Sequence, residues 1–345
     1  MKARLTAIDL FCGSGGVTDG LKRRGFRVVA AVDNDPVACR TFRANHPTVR
    51  LYQNDIQRLR PERLKRECLG SRSLDLMVVC APCQPFSSQN RKTGVDPRAS
   101  LIMEAVRYAR ILRPRVVFFE NVPGLARTTN RPIVDRLREG FESLGYTLSD
   151  PHEVDAEEYG VPQRRLRCVM FAVRAPMLRQ SLRPPRPIGR TSTVRKAIHG
   201  LEYLSAGQRS ERDPLHFARN HKPIALERLQ QLPKNGGSRN SLPDNLSLPC
   251  HRGYKGHPDV YGRMSWDDVA PTLTTGCTDL TRGRFAHPEQ DRAISPREAA
   301  MLQTFPLSYI FRGNSTQVAR QIGNAVPSRM VQEFAPKFRS AIHAV

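Results

Sequence analysis

The sequence predicts an α/β fold with a doubly wound sheet and a second, smaller domain of irregular structure. In the first half of the chain, short apolar runs alternate with segments of helical periodicity, an order typical of β-α-β units with parallel strands. From about residue 175 to residue 289, the apolar runs give way to Pro, Gly, Ser, Arg and His. We therefore predict a larger domain from residues 1–174 and 290–345, and a smaller domain from residues 175–289.

The individual elements of the larger domain follow from the spacing of apolar residues. The predicted strands are buried apolar runs, at residues 5–10, 27–32, 74–80, 115–119 and 166–173. The predicted helices repeat apolar residues every three or four positions, at residues 17–24, 36–44, 99–112, 133–144, 297–303, 317–322 and 328–342. A further short strand is expected before Asn54.

The charge balance predicts a polyanionic partner. The 345 residues include 55 Lys and Arg against 32 Asp and Glu, a formal net charge of +23. Such an excess favours nucleic acid through electrostatic steering and counterion release. Arginine predominates over lysine, which suits bidentate contacts to phosphate and guanine.

The sequence carries little evidence of membrane insertion, secretion, disulfides or metal binding. No stretch approaches the roughly 20 apolar residues of a membrane helix, and the N-terminus does not resemble a secretion signal, so we expect no membrane partner and a cytoplasmic, nucleoid-associated location. The eight cysteines are scattered, which favours a reducing compartment without disulfides. Cys80-x-x-Cys83 has no second Cys pair to complete a zinc site, so we expect no bound metal.

A glycine-rich turn predicts a nucleotide-containing cofactor. Asp9-Leu10-Phe11-Cys12-Gly13-Ser14-Gly15-Gly16 follows the first strand, where glycines let the backbone approach a ligand. Asp33 ends the second strand and is placed to bind ribose hydroxyls, and Asn54-Asp55-Ile56 is placed to read an adenine. A nicotinamide-dependent oxidoreductase carries a similar turn, although the spacing here departs from G-x-G-x-x-G.

A second cluster predicts covalent catalysis. Strand 74–80 leads into Ala81-Pro82-Cys83-Gln84-Pro85-Phe86-Ser87, and strand 115–119 leads into Glu120-Asn121-Val122-Pro123. Adjacent parallel strands end at the same sheet edge, which brings Cys83 and Glu120 into one crevice. A thiol nucleophile and an acid would then face one substrate.

At this point the chain resembles the DNA cytosine-5 methyltransferase family of bacterial modification enzymes. The resemblance consists of ordered motifs over nearly the whole chain: Asp9 to Gly16, Asp33, Asn54-Asp55-Ile56, Pro82-Cys83-Gln84, Glu120-Asn121-Val122, Gln163-Arg164-Arg165-x-Arg167, Ser295-Pro296-Arg297-Glu298 with Leu302-Gln303, and Gln321-Ile322-Gly323-Asn324-Ala325-Val326-Pro327. It implies a Rossmann-like catalytic domain. It also implies that the irregular segment, with its landmark Thr272-Leu273, is a target recognition domain.

The resemblance further implies a role for each site residue. Catalysis is assigned to Cys83, Glu120, Arg165 and Arg167. S-adenosylmethionine is assigned to Phe11, Gly13, Gly15, Asp33, Asp55, Ile56, Pro82, Leu101, Asn324 and Val326. Contacts to DNA and the flipped base are assigned to Gln84, Ser87, Asn121, Val122, Gln163, Thr272 and Leu273.

The implied reaction begins with attack of Cys83 on carbon-6 of a cytosine flipped out of the duplex, and methylation at carbon-5 follows. The implied partner is double-stranded DNA, bound by a monomer that belongs with a cognate restriction endonuclease. Two alternatives within the fold are a transfer-RNA cytosine-5 methyltransferase and a catalytically silent DNA-binding relative. The silent relative is expected to lose Cys83 or Glu120, and this chain keeps both.

Overall fold

The structure, a computed structural model, describes residues 4–82, 97–175, 182–248 and 259–345, without the side chains of residues 97–99. The chain divides into two compact units. The first unit comprises Met1–Ala156, Leu166–Pro187 and Ser328–Val345. The second comprises Glu157–Arg165 and Ile188–Pro327. In the part of the chain that is described, no helix is long and apolar enough to cross a membrane.

The first unit is built on a mixed sheet. Its strands are β1 (Thr6–Leu10), β2 (Arg27–Asp33), β3 (Arg50–Gln53), β4 (Leu76–Val79), β5 (Val116–Asn121), β6 (Thr147–Leu148), β7 (His152–Asp155) and β8 (Leu166–Val173). They follow the order β3-β2-β1-β4-β5-β8-β6, and β7 also pairs with β8. Pairing from β3 through β5 is parallel. The predicted doubly wound α/β class is therefore confirmed.

The last strands differ from the parallel β-α-β pattern, because β8 runs antiparallel to β5 and to both β6 and β7. Ten residues, from Ala156 to Arg165, lie between β7 and β8, and they include the short 3-10 turn Ala156–Glu158. That connection is too short for the crossover that a parallel pair requires, so the chain returns antiparallel.

Helices surround this sheet. They are α1 (Gly16–Arg23), α2 (Pro36–Asn45), α3 (Pro61–Leu64), α4 (Glu104–Leu112) and α5 (Arg131–Glu142), with α10 (Ser328–His343) from the C-terminus. Every residue of β1, β4 and β5 is buried, as expected for strands covered on both faces. The helix predicted over 99–112 is α-helical only from Glu104, because Pro97–Met103 forms a 3-10 helix.

The C-terminal helix α10 completes the core beside the first helix. A Cβ on Gly20 of α1 would lie 2.6 Å from the Ser328 carbonyl oxygen, so glycine permits this close approach. On the sheet side, the rings of Phe334 and Phe338 lie 5.5 and 5.0 Å from that of Phe118 in β5. The first unit is thus closed by the last residues of the chain.

The second unit contains short helices joined by irregular segments. These helices are α6 (Val194–Ile198), α7 (Pro223–Gln231), α8 (Pro296–Leu302) and α9 (Ser315–Asn324). Apolar residues of α8 and α9 share a buried cluster with Val194, Trp266 and Leu273. Residues 290–327, predicted to lie in the larger domain, therefore pack with the smaller one. The assignment of the units to catalysis and target recognition stays a prediction.

Candidate active site

The glycine turn after β1 adopts the backbone conformation that its sequence predicts. Phe11, Gly13 and Gly15 have φ angles of 61°, 52° and 98°, and Gly15 caps the start of α1. At Gly13, no heavy atom of the described chain lies within 4 Å of where a Cβ would stand. The turn therefore leaves an open cradle beside the positive end of a helix.

Asp33 fixes this turn from the end of β2. One carboxylate oxygen accepts a hydrogen bond from the Gly13 amide at 2.8 Å, and the other accepts one from the Asp35 amide at 2.8 Å. Burial raises the pKa of Asp33 above its ordinary value, while these backbone donors oppose the rise. The residue predicted to hold ribose hydroxyls thus also holds the glycine turn.

Asp9 is a buried carboxyl under the same turn. It is fully buried in β1, and Oδ2 accepts a hydrogen bond from the Thr18 hydroxyl at 2.7 Å. Burial raises the pKa of Asp9 to about 7, helped by the negative charge of Asp33. Its Oδ1 is buried with no hydrogen-bond partner among the described residues. A buried oxygen without a partner is rare in folded proteins.

The segment after β3 lies beside the end of β2. The Asn54 amide donates to the Asp33 carbonyl at 2.9 Å, and the Gln57 amide donates to the Asp55 carboxylate at 2.9 Å. Ile56 is buried in the main apolar cluster, against which Phe11 and Leu101 also pack. The structure thus brings Asp33, Asp55 and Ile56 to one sheet edge together with the glycine turn, while Leu101 packs against the same apolar cluster as Phe11.

These residues fit an adenosine-containing cofactor. The open cradle at Gly13 admits a ligand against the backbone, and Asp33 and Asp55 supply acceptors for hydroxyl and amino groups. Phe11 and Ile56 supply apolar surface for a ring. Asn324 is exposed and Val326 is buried, and both lie in the second unit, so their part in binding stays a prediction.

Two residues that the sequence did not single out hold this edge in place. Arg107 of α4 donates to the Ile56 and Leu59 carbonyl oxygens, at 2.5 and 3.1 Å. The Tyr108 hydroxyl lies 3.2 Å from the same two oxygens. Because α4 follows this segment by some 50 positions in the chain, no local spacing pattern could reveal the contact.

Glu120 forms a buried ion pair at the end of β5. Its carboxylate lies 2.8 Å from Nε of Arg167 in the antiparallel strand β8, and both side chains are about nine-tenths buried. Arg167 also donates to the Leu166 carbonyl at 2.6 Å. The two predicted catalytic residues therefore meet in the first unit, and the guanidinium fixes the orientation of the carboxylate.

Asn121 links the ends of β4 and β5. Its side chain is buried, and Nδ2 donates to the Ala81 carbonyl at 3.0 Å, while its Oδ1 accepts from the Val122 amide at 2.9 Å. The chain leading to the predicted nucleophile is thereby tied to the strand end that carries Glu120. Pro82 is the last described residue of this segment before the gap, and Val122 packs against the main apolar cluster. Cys83, Gln84 and Ser87 lie outside the described residues.

Residues of the second unit that were predicted to act in catalysis or to contact the base form an internal network. Gln163 is fully buried, donates to Oε1 of Gln303 at 2.6 Å and accepts from the Leu273 amide at 3.0 Å. Arg165 donates to the carbonyl oxygens of Leu273, Gly323 and Ala325 at 3.1, 2.7 and 3.0 Å. These side chains gather the segments around 163, 273 and 323, and their predicted roles toward DNA stay predictions.

Only one residue of the predicted pair Thr272-Leu273 is exposed. Leu273 is fully buried, whereas Thr272 is exposed and donates to the Arg164 carbonyl at 2.7 Å. Thr272 is therefore the member of the predicted pair that a ligand could reach. Among the described residues, no group of three or more His, Cys, Asp or Glu side chains is arranged to hold a metal ion.

The chain is similar to known proteins over nearly its whole length. The profile of the C-5 cytosine-specific DNA methylase family matches residues 5–339. The Type II methylase M.HgiDII of Herpetosiphon aurantiacus is 38% identical over 97% of this chain and 96% of its own length. The Type II methyltransferase M1.HphI of Haemophilus parahaemolyticus is 34% identical over 96% of this chain and 86% of its own length.

Solved structures show the same fold. An Escherichia coli structure described as a prophage-encoded DNA modification methyltransferase aligns with a TM-score of 0.76 and 25% identity, over 98% of this chain and 99% of its own. The DNMT2 structure of Spodoptera frugiperda aligns with a TM-score of 0.67 and 19% identity, over 97% of this chain and 99% of its own. The second likeness shows the fold alone.

Proposed function

Because this chain belongs to the family of C-5 cytosine-specific DNA methylases, we propose that it methylates carbon-5 of cytosine within a short specific DNA sequence, as the modification enzyme of a restriction-modification system. The observation that carries the proposal is the buried Glu120–Arg167 ion pair, tied through Asn121 to the chain that leads to Cys83. The relatives named as Type II methylases support the modification role.

In the proposed reaction, the Cys83 thiolate attacks carbon-6 of the cytosine. A carbon–sulfur bond forms, the carbon-5–carbon-6 π electrons move toward carbon-5, and aromaticity is lost. Glu120 holds or protonates ring nitrogen-3, and a proton placed there neutralises the negative charge that the thiolate brings into the ring. Arg167 holds the Glu120 carboxylate in one orientation, so this stabilisation needs no rearrangement during the reaction.

When bound, S-adenosylmethionine supplies an electrophilic methyl group, which carbon-5 accepts while the donor sulfur keeps the bonding electron pair. The carbon-5 proton is then lost to a base, the double bond re-forms, and Cys83 leaves as a thiolate. The chain's own part on the cofactor side is to present the open turn at Gly13 and the acceptors Asp33 and Asp55. Apart from its two chain neighbours, no described heavy atom lies within 4 Å of where a Cβ on Gly13 would stand, which supports close approach of a ligand to this backbone.

The depth of Glu120 supports flipping of the target base. The side chain is about nine-tenths buried, so the ring of a cytosine stacked in a duplex cannot reach it. The target base is therefore proposed to leave the stack and enter the first unit. We further propose that the enzyme acts as a monomer and is accompanied by an endonuclease that cleaves the unmethylated sequence.

The transfer-RNA alternative shares the fold, so the test offers the enzyme both DNA and RNA. The experiment is methyl transfer from S-adenosylmethionine to unmethylated genomic DNA, with RNA in a parallel reaction, followed by bisulfite sequencing. We expect protected cytosines in one short recurring DNA context. Transfer to RNA alone would replace the proposal with the RNA branch, and transfer to neither would favour the silent relative.

The nucleophile is tested separately with Cys83→Ser, and Cys80→Ala serves as the matched control in the same chain. We expect Cys83→Ser to abolish methylation while cofactor binding persists. The control should stay active, because burial raises the pKa of the Cys80 thiol well above its ordinary value and keeps it protonated. Near-normal methylation by the Cys83→Ser enzyme would exclude the covalent route.

A further inference from the structure

A basic groove lies on the first unit, next to the predicted cofactor segment Asn54-Asp55-Ile56, and Asn54 is part of its lining. It has a volume of about 1070 Å³, and its walls are the segment from Asn54 to Arg66 and the α4 segment from Met103 to Ile111. Its lining includes one carboxylate, Glu62, and six arginines, which are Arg58, Arg60, Arg63, Arg66, Arg107 and Arg110. We call this surface the arginine groove.

Some of these arginines already have internal partners. Arg63 donates to Glu67 at 2.9 Å and lies over the Tyr52 ring, and Arg66 lies 3.7 Å from the same carboxylate. Arg107 is held by Glu104 and by the carbonyl oxygens that it clamps. These side chains shape the groove, and their charge is partly neutralised from within.

Arg58, Arg60 and Arg110 are different. All three are exposed, and none of them forms an ion pair with a carboxylate in the part of the chain that the structure describes. They stand on both walls of the groove, since Arg58 and Arg60 follow β3 and Arg110 belongs to α4. Unpaired guanidinium groups on two facing walls match the spaced phosphates of a nucleic-acid backbone.

We propose that the arginine groove binds the phosphate backbone of DNA outside the target site, and so anchors the enzyme on long duplexes. The proposal rests on the proposed function only in taking DNA as the polyanion. One wall follows edge strand β3, which is four strand spacings, about 19 Å, from β5 and its Glu120. At about 3.4 Å per nucleotide, the contacted phosphates lie roughly six base pairs or more from the flipped base.

The test compares a groove variant with a variant of equal charge. Arg58→Gln, Arg60→Gln and Arg110→Gln are combined in one protein. Arg27→Gln, Arg40→Gln and Arg136→Gln are combined in the control; these are exposed arginines of the same unit outside the groove. Binding to a labelled random-sequence duplex of several helical turns is measured across a series of salt concentrations.

We expect the groove variant to flatten the plot of log K against log salt concentration by about 0.9 per lost phosphate contact, thus by roughly 2 to 3 in total. The control variant should leave the slope near that of the wild type. A second groove variant with lysine at the three positions should keep the slope, because a point charge suffices for a phosphate. S-adenosylmethionine binding, measured by calorimetry, should be the same in all four proteins.

Two results would overturn the proposal. Equal slopes for the groove variant and the control variant would mean that the groove does not bind DNA. An acidic protein would then be the remaining candidate partner. Loss of S-adenosylmethionine binding in the groove variant would make the groove a wall of the cofactor site. Methylation of DNA by the wild type is measured in the same preparations, so failure of the proposed function is seen separately.

Discussion

Replacing Asp9 by asparagine tests the cost of burying a carboxyl group in the first strand of the sheet. Asp9 is fully buried, and burial raises its pKa from 3.8 to about 7. The folded protein therefore keeps this proton to higher pH than the unfolded chain does. The contribution of Asp9 to the free energy of unfolding is at its maximum below the pKa of the unfolded chain, 3.8. It decreases as pH rises toward the folded-state pKa of about 7, and above that pH it no longer changes.

The magnitude follows from that interval. Each pH unit between the two pKa values lowers the free energy of unfolding by about 1.4 kcal/mol. Over the whole interval from 3.8 to about 7, the loss is about 4 kcal/mol. Asparagine has nearly the same shape, can still accept from the Thr18 hydroxyl, and carries no titrating charge. The difference in unfolding free energy between Asp9→Asn and wild type should therefore increase by about 3 kcal/mol in favour of the variant as pH rises from about 5 to about 8.

The assay is urea unfolding followed by circular dichroism, for both chains at several pH values in this window. Buried histidines such as His46 and His287, whose pKa values burial lowers to about 4, contribute equally to both chains and cancel in the difference. Glu139→Gln, at an exposed position of α5, is measured alongside as the control for loss of a carboxylate elsewhere in the unit, and a pH-independent stability difference for Asp9→Asn is the contradicting result.

Three further substitutions test the packing and charge of the site. Gly323→Ala should unfold at clearly lower temperature than wild type, because its Cβ would stand 2.3 Å from the Thr274 carbonyl oxygen. The control Gly200→Ala meets no described atom within 4 Å and should unfold at the wild-type temperature. Equal unfolding temperatures for the two variants would contradict the close approach at Gly323. Arg165→Lys should lose about 2 kcal/mol or more in urea unfolding, since an ammonium cannot reach three separated carbonyl oxygens; unchanged stability would favour a role in DNA contact alone. Arg167→Met should cost about 3–5 kcal/mol by leaving a buried carboxylate unpaired, and this cost should disappear when the carboxylate is also replaced by glutamine; a cost that persists in the double variant would assign it to lost packing.

The sequence predicted those strands that are buried on both faces. β1, β2, β4 and β5 are near-continuous apolar runs and were predicted to within two residues at each end. The strands β6 and β7 were missed because Thr147–Leu148 is very short and His152–Asp155 is mostly polar. The antiparallel direction of β8 was equally unreadable, since it depends on a connection too short for a crossover rather than on the residues of the strand.

The same distinction applies to the candidate site. Gly13, Gly15 and Asp33 were predicted because a turn between strand and helix has a local signature. The clamp of Arg107 on Ile56 and the contacts of Arg165 join residues 51 to 160 positions apart. Such contacts leave no periodicity in the chain, because they are produced by packing of whole elements. Motifs therefore predicted candidate residues, and only the fold showed how those that are described are held in place.

The packing of α10 against α1 has a consequence for biosynthesis. Helix α1 leaves the ribosome well before α10, because Ser328, the first residue of α10, lies 309 positions after Asp19 of α1. Until then, Phe118 of β5 lacks the rings of Phe334 and Phe338 that cover it in the finished protein. The nascent first unit thus waits with an exposed aromatic face. A messenger truncated before codon 328 should yield a chain that aggregates or is degraded rather than a partly active enzyme.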